Sequence, residues 1–156
     1  MAVGRLLDDE DFKLLTAEAF DFMFRNELKR AMRSQSYLTL LTIQPTALAA
    51  SEITGLTREV GRIVRRQVRE TDLLSHHDWH RLSLVLLDAD LKSAATVVER
   101  LIDRFEQYAF AAAPTGISVG AACCPTHGTD ADHLQRVAQS PTAHSRRGPG
   151  GDADAQ

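Results

Sequence analysis

Apolar residues near the start of the chain recur at intervals of three and four: Phe20, Met23, Phe24, Leu28, Ala31 and Met32. That spacing predicts an amphipathic helix. Thr16 is its N-cap candidate, acids stand in its first turn, and Ser34-Gln35-Ser36 ends it. Tyr37–Ile43 (YLTLLTI) predicts a strand, and Pro45–Gly55 a loop or broken helix. A second helix follows over Thr57–Val68. Val60, Ile63, Val64, Gln67 and Val68 share one of its faces, and Arg58, Arg62, Arg65 and Arg69 share the other. Asp72–His77 and Leu82–Leu87 predict a β-hairpin, with Asp78-Trp79-His80-Arg81 at its tip. The second strand alternates and then runs apolar, as a strand buried on both faces does. Asp78 is ordinary turn chemistry, whereas the bulky Trp79 beside it is not.

Asp88-Ala-Asp90 caps a helix from Leu91 to about Gln107, with an apolar stripe of Leu91, Ala94, Ala95, Val98, Leu101, Ile102 and Phe105. After the linker Ala109–Pro114, Thr115–Cys123 predicts a strand in which Gly120 marks close approach of a neighbouring backbone. Asp130–Gln139 predicts a short helix, and Pro141 prevents its continuation. From Ser140 the chain is rich in Gly, Pro and Ser and poor in apolar residues, which predicts a disordered tail. The division expected is a lead-in over 1–15, one domain over 16–139 and a tail over 140–156. The order of elements fits an α/β (α+β) sandwich of the ferredoxin-like or nucleotide-cyclase kind, with a mainly antiparallel sheet covered by helices.

Composition narrows the function classes. A chain of 156 residues is long enough for one core. A net charge of −3 gives no bulk attraction to nucleic acid or anionic membrane. No apolar run reaches the ~20 residues of a membrane span. Acidic residues in Met1–Leu15 stand where a secretory signal has its apolar segment. The two cysteines, Cys123 and Cys124, are adjacent, which suits a reduced, cytoplasmic setting better than a disulfide.

The run Arg69-x-x-Asp72, five residues, Asp78-Trp79-His80-Arg81-Leu82 and then an apolar strand resembles the central hairpin of the GGDEF, or diguanylate cyclase, domain. The Ser118-x-Gly120-x-Ala122 strand and the Asp130-Ala131 helix with Leu134 and Ala138 are similar to that family's later elements, so the resemblance covers about Leu15 to Ala138. It implies the cyclase-like fold. It also implies where the family's chemistry would stand. Two magnesium ions would be held by carboxylates at the end of the first strand, where this chain has Thr42-Ile43-Gln44, and hard cations need anionic oxygen. The GGDEF run itself is replaced, with Trp79 on a glycine position and His80 and Arg81 on the acidic ones. The guanine-gripping residues of the loop and the cationic extension of the last helix are absent too. What survives is the R-x-x-D, which in the family binds the product, cyclic di-GMP.

The resemblance therefore implies a catalytically inactive domain that receives cyclic di-GMP through Arg69 and Asp72, with Arg66 beside them, and that has no resident cofactor or metal. Two alternatives stand next to it. One is a dimerisation or partner-docking module using the Arg58–Arg69 face, which otherwise reads as a solvated surface. The other is an active enzyme using unrecognised residues. Three further constellations carry less. His76, Asp78 and His80 share a strand face, with His77 opposite; zinc would need a fourth ligand that the sequence does not supply, and a solvated tip explains them better. Cys123-Cys124 reads as a buried strand-end pair although His127 is near. Ser118 lacks a hydrolase setting.

Overall fold

The computed structural model describes residues 7–9, 13–78 and 80–145. Trp79 and the chain beyond Ser145 lie outside them, and so do the expectations placed on both. The described elements are β1 (Leu7–Asp9), β2 (Leu14–Leu15), α1 (Ala17–Ser34), β3 (Leu38–Thr46), a 3-10 turn (Ala50–Glu52), α2 (Ile53–Gln67), β4 (Leu73–Asp78), β5 (Arg81–Leu87), α3 (Leu91–Gln107), β6 (Gly116–Cys124), α4 (Ala131–Ala138) and β7 (Ala143–Ser145). The strands form one sheet in the order β1-β2-β4-β5-β3-β6-β7. Only the β2–β4 pairing is parallel. The expected mainly antiparallel sheet under helices is what forms.

Alternation along the central strands splits the core in two. Leu41, Ile43, Leu82, Leu84, Leu86, Ile117 and Val119 face one side, where α2 and α3 lay down Leu56, Val60, Val64, Val98, Leu101 and Phe105. Leu38, Leu40, Val85, Ala122 and Cys124 face the other, against Phe20, Phe24 and Leu28 of α1 and Leu134 of α4. Neighbours along a strand point to opposite faces, so β5 feeds both cores, as its unbroken apolar run predicts.

The helix ends follow their capping residues. Thr16 Oγ1 accepts from the Ala19 amide at 3.1 Å, Asp90 from Ser93 at 2.8 Å, and Asp130 from His133 at 2.9 Å. Gln35, with φ 57°, closes α1 in the left-handed region. Met32 and Ala95, both assigned to apolar stripes, are exposed instead, each at the edge of a stripe narrower than the spacing suggested. Helix α2 starts four residues earlier than expected, because Ile53 and Leu56 are both buried and extend the apolar face backwards.

Strand β3 runs on to Thr46, through Pro45. Thr46 faces β6, where its carbonyl accepts from Thr115 at 2.8 Å. By alternation Pro45 faces β5, and pairing with β5 has already ended at Ile43–Leu82. The missing N–H therefore costs no ladder bond.

The hairpin is tighter than its four-residue expectation, since Asp78 and Arg81 already pair and only 79 and 80 connect them. The largest correction concerns the segment after Gln139. Residues 140–145 were expected to be disordered. Instead Ala143–Ser145 pairs with Ile117–Val119 at the sheet edge, and the Thr142 amide bonds Val119 at 2.8 Å. Few apolar residues are needed to add an edge strand, because the free ladder positions of β6 supply the backbone partners. Gly120 explains how the chain gets there: a Cβ at that position would overlap the Ala138 carbonyl oxygen and lie 2.7 Å from that of Ser140. Among the described residues no helix is long and apolar enough to cross a membrane.

Candidate functional site

The three residues singled out in the sequence, Arg66, Arg69 and Asp72, line one surface pocket of about 400 Å³. It opens where the C-terminal end of α2 meets the end of β5 and the first turns of α3. Its other walls include Gln67, Leu86, Asp88, Ala89, Ser93, Val97 and Arg100. The volume lies within the range of about 300–1,000 Å³ typical of small-molecule sites. Three guanidinium groups and two carboxylates border it.

Asp72 is the fixed point of this arrangement. Its side chain is only 3% exposed. One carboxylate oxygen accepts from the Arg69 amide at 3.0 Å, the other from the Leu87 amide at 3.1 Å. The α2–β4 turn is thereby tied to the end of β5. A carboxylate bond to a backbone N–H is worth about 1.5–3 kcal/mol, more than a neutral one. Asp72 was expected to offer its carboxylate to a ligand; instead both oxygens already serve the backbone.

Arg69 swings back over the same turn. Its Nη2 donates to the Leu87 carbonyl at 2.6 Å, and its Nε stands 3.8 Å from Asp72. The side chain is nevertheless 64% exposed, so the guanidinium keeps donors for an incoming anion. Arg66 is exposed beside it. Arg100 comes across from α3, its Nη2 on the Gln67 carbonyl at 2.7 Å. A cation at the C-terminal end of α2 complements the helix dipole. No spacing in the sequence joins Arg100 to Arg69. Only the side-by-side packing of α2 and α3 does, and so the sequence reading missed it.

The arginine stripe is not one surface. Arg65 is half-buried and turns inward, donating to the carbonyls of Arg69 and, at 3.3 Å, Asp72. Burial holds its guanidinium below the ordinary value, against the opposing pull of Asp72 and Glu70. It serves the turn, while Arg58 and Arg69 face solvent.

The positions on which the resemblance put the family's catalytic residues lie at the other end of the central strands, where β3 passes the hairpin tip. Thr42 pairs with Ser83 and Ile43 with Leu82, which brings Gln44 towards the hairpin tip. The one acid at that tip, Asp78, is consumed locally. It accepts from the His80 amide at 3.0 Å and from Arg81 Nη2 at 3.0 Å, and His80 Nδ1 stands at 2.7 Å. Burial works to raise its carboxyl, but the His80 amide and the Arg81 guanidinium outweigh it and hold the group below its ordinary value. Among the described residues no cluster of three or more His, Cys, Asp or Glu is arranged to hold a metal ion. Cys123 and Cys124 are buried, and burial first, then the neighbouring Cys123, pushes the Cys124 thiol up. His127 Nδ1 accepts from the Cys123 amide at 2.9 Å and so faces the backbone.

No protein-family model matches the sequence, and no curated protein matches it. Solved structures do. A DGC protein from Thermotoga maritima superposes with a TM-score of 0.74 at 15% identity, covering 86% of this chain and 100% of that one. The GGDEF domain of FimX from Pseudomonas aeruginosa gives 0.73 at 17%, covering 88% and 90%. The GGDEF domain of DgcB from Caulobacter crescentus, solved in complex with c-di-GMP, gives 0.69 at 12%, covering 90% of each. Likeness at such identities establishes a shared fold, and the fold of this chain is the GGDEF, diguanylate cyclase-like one.

Proposed function

We propose that this chain is a signalling domain that binds cyclic di-GMP without making it. The observation that carries the reading is the convergence of Arg66, Arg69 and Asp72 on one pocket, joined there by Arg100. A cyclic dinucleotide offers two phosphodiester anions and two guanine edges. Arginine forks suit both the phosphates and the guanine O6/N7 face. Asp72 contributes by fixing the turn from which Arg69 projects. A GGDEF-fold neighbour solved with c-di-GMP supports the choice of ligand.

Inactivity as a cyclase is the other half of the proposal. Activating a ribose hydroxyl and expelling pyrophosphate needs metal-holding carboxylates. Positions 42 and 44 are Thr and Gln, and the tip acid Asp78 is already neutralised by Arg81. The reading of the arginine face as a protein-docking surface draws less support, because Arg65 belongs to the turn and interrupts the stripe.

Two assays test the proposal together. Isothermal titration of the chain with cyclic di-GMP is expected to give saturable binding. Incubation with GTP and magnesium or manganese is expected to yield no cyclic di-GMP by chromatography. Absence of binding sinks the receptor reading, and protein-dependent product formation sinks the inactivity.

A further inference from the structure

We infer that Asp88, and not Asp72, is the acidic side chain that reads the guanine edge in this pocket. The inference rests on the cyclic di-GMP reading above and assigns its base specificity. The Watson–Crick edge of guanine presents two adjacent donors, N1–H and the N2 amino group. An ionised carboxylate, which only accepts, is their natural complement, one oxygen to each. Asp72 cannot offer that pair. Its oxygens already hold the Arg69 and Leu87 amides, and the side chain is only 3% exposed.

Asp88 meets the requirement from the same pocket. It is exposed, and among the described residues its carboxylate has no hydrogen-bond or ion partner. Its backbone is left-handed, with φ 58°, a conformation that Asp and Asn adopt far more readily than other non-glycine residues. The turn between β5 and α3 thus presents this side chain at the pocket wall. Arg69 is anchored on the carbonyl of Leu87, the residue immediately before Asp88. An arginine fork for phosphate and a free carboxylate for base therefore rise from one short piece of backbone.

The test is Asp88→Asn in the full chain. Asparagine keeps the left-handed backbone, so folding should be unaffected, as a matching melting temperature will verify. The amide replaces one acceptor with a donor that opposes the guanine donors. Calorimetric titrations use cyclic di-GMP and cyclic di-AMP, whose adenine edge pairs one donor with one acceptor and so suits an amide. The expected result is a roughly ten- to hundred-fold loss of cyclic di-GMP affinity, with cyclic di-AMP affinity unchanged or raised. If the variant binds cyclic di-GMP as well as wild type, the assignment to Asp88 is wrong while the pocket stands. An equal loss for both dinucleotides means bulk charge and not base reading, and also overturns it. If wild-type protein binds no cyclic di-GMP, the functional reading falls and this inference falls with it.

Discussion

Two regions of one sheet invite comparison: the hairpin tip beside β3, and the pocket where α2, β5 and α3 meet. Both gather polar side chains on a rigid α/β frame, and both hold an aspartate in contact with an arginine. At the tip, Asp78, His80 and Arg81 satisfy one another. On the proposed reading they leave no acid for a metal, and the tip sequence has no glycine for close approach. At the pocket, the buried Asp72 is satisfied by backbone amides, and that frees the surrounding guanidiniums to face solvent. The difference is in who pairs with whom. On the proposed reading, a carboxylate spent on a neighbouring arginine removes a site, whereas a carboxylate spent on backbone frames one.

The largest effect should come from disturbing the frame on which both regions stand. Gly120 pairs with Thr42 on β3 and lies under the carbonyls of Ala138 and Ser140. Gly120→Ala forces a methyl into backbone that has no rotamer to yield. A loss upwards of about 4 kcal/mol, or failure to fold, is expected in urea titration. A variant within 1 kcal/mol of wild type would mean that the edge strand is not seated as described.

Next comes Asp72→Ala. It strands two backbone amides, one from each side of the turn, and should cost about 2–3 kcal/mol. At roughly 4 °C per kcal/mol for a domain of this size, the melting temperature falls by about 10 °C. Any loss of cyclic di-GMP affinity should follow from a loosened turn. If Asp72→Ala melts like wild type yet stops binding, Asp72 is a direct ligand and its structural role is wrong.

The frame was legible in the sequence because it rests on period and capping. The 3.6-residue stripes, Thr16 and Asp90 as caps, and Gly120 as a point of close approach all lie in local runs of chain. The same reading failed wherever a distant segment decides the outcome. Edge strand β7 forms because β6 leaves backbone groups open, not because residues 143–145 have strong propensity. Arg100 joins the pocket across a helix–helix seam. Arg65 departs from its stripe because two carbonyls of the following turn lie within reach. Asp72 lines the pocket, yet its bond to the Leu87 amide, fifteen residues on, is invisible in the R-x-x-D spacing.

Smaller effects separate the two regions by ligand. Arg69→Ala and Arg100→Ala each remove a charged fork from the pocket and should weaken cyclic di-GMP binding ten- to a hundred-fold, about 1.4–2.8 kcal/mol. The fold should lose under about 1 kcal/mol. Arg58→Ala, on the exposed face of α2 and outside the pocket wall, should bind as wild type. Equal losses from all three would indicate bulk attraction and dissolve the distinction between the regions.

The smallest effect belongs to the tip. Asp78 is held below its ordinary value of 3.8, so its contribution to stability is complete above that pH and is lost as the pH falls through the lowered folded value. The group is part-exposed and its ion pair is screened by solvent, so the contribution is about 0.5 kcal/mol or less. Asp78→Asn should therefore flatten the acid limb of the stability curve slightly, leave neutral-pH stability within about 0.5 kcal/mol, and leave cyclic di-GMP binding untouched. A binding defect in this variant would move the ligand to the hairpin.

The most direct test of the contrast between the regions is a backbone amide NMR titration of the chain with cyclic di-GMP. Saturable shifts are predicted for residues 66–72, 86–93 and 97–100, with residues 42–46 and 78–82 unmoved. Shifts centred on the hairpin tip and the end of β3, or no shifts at all, would contradict the account.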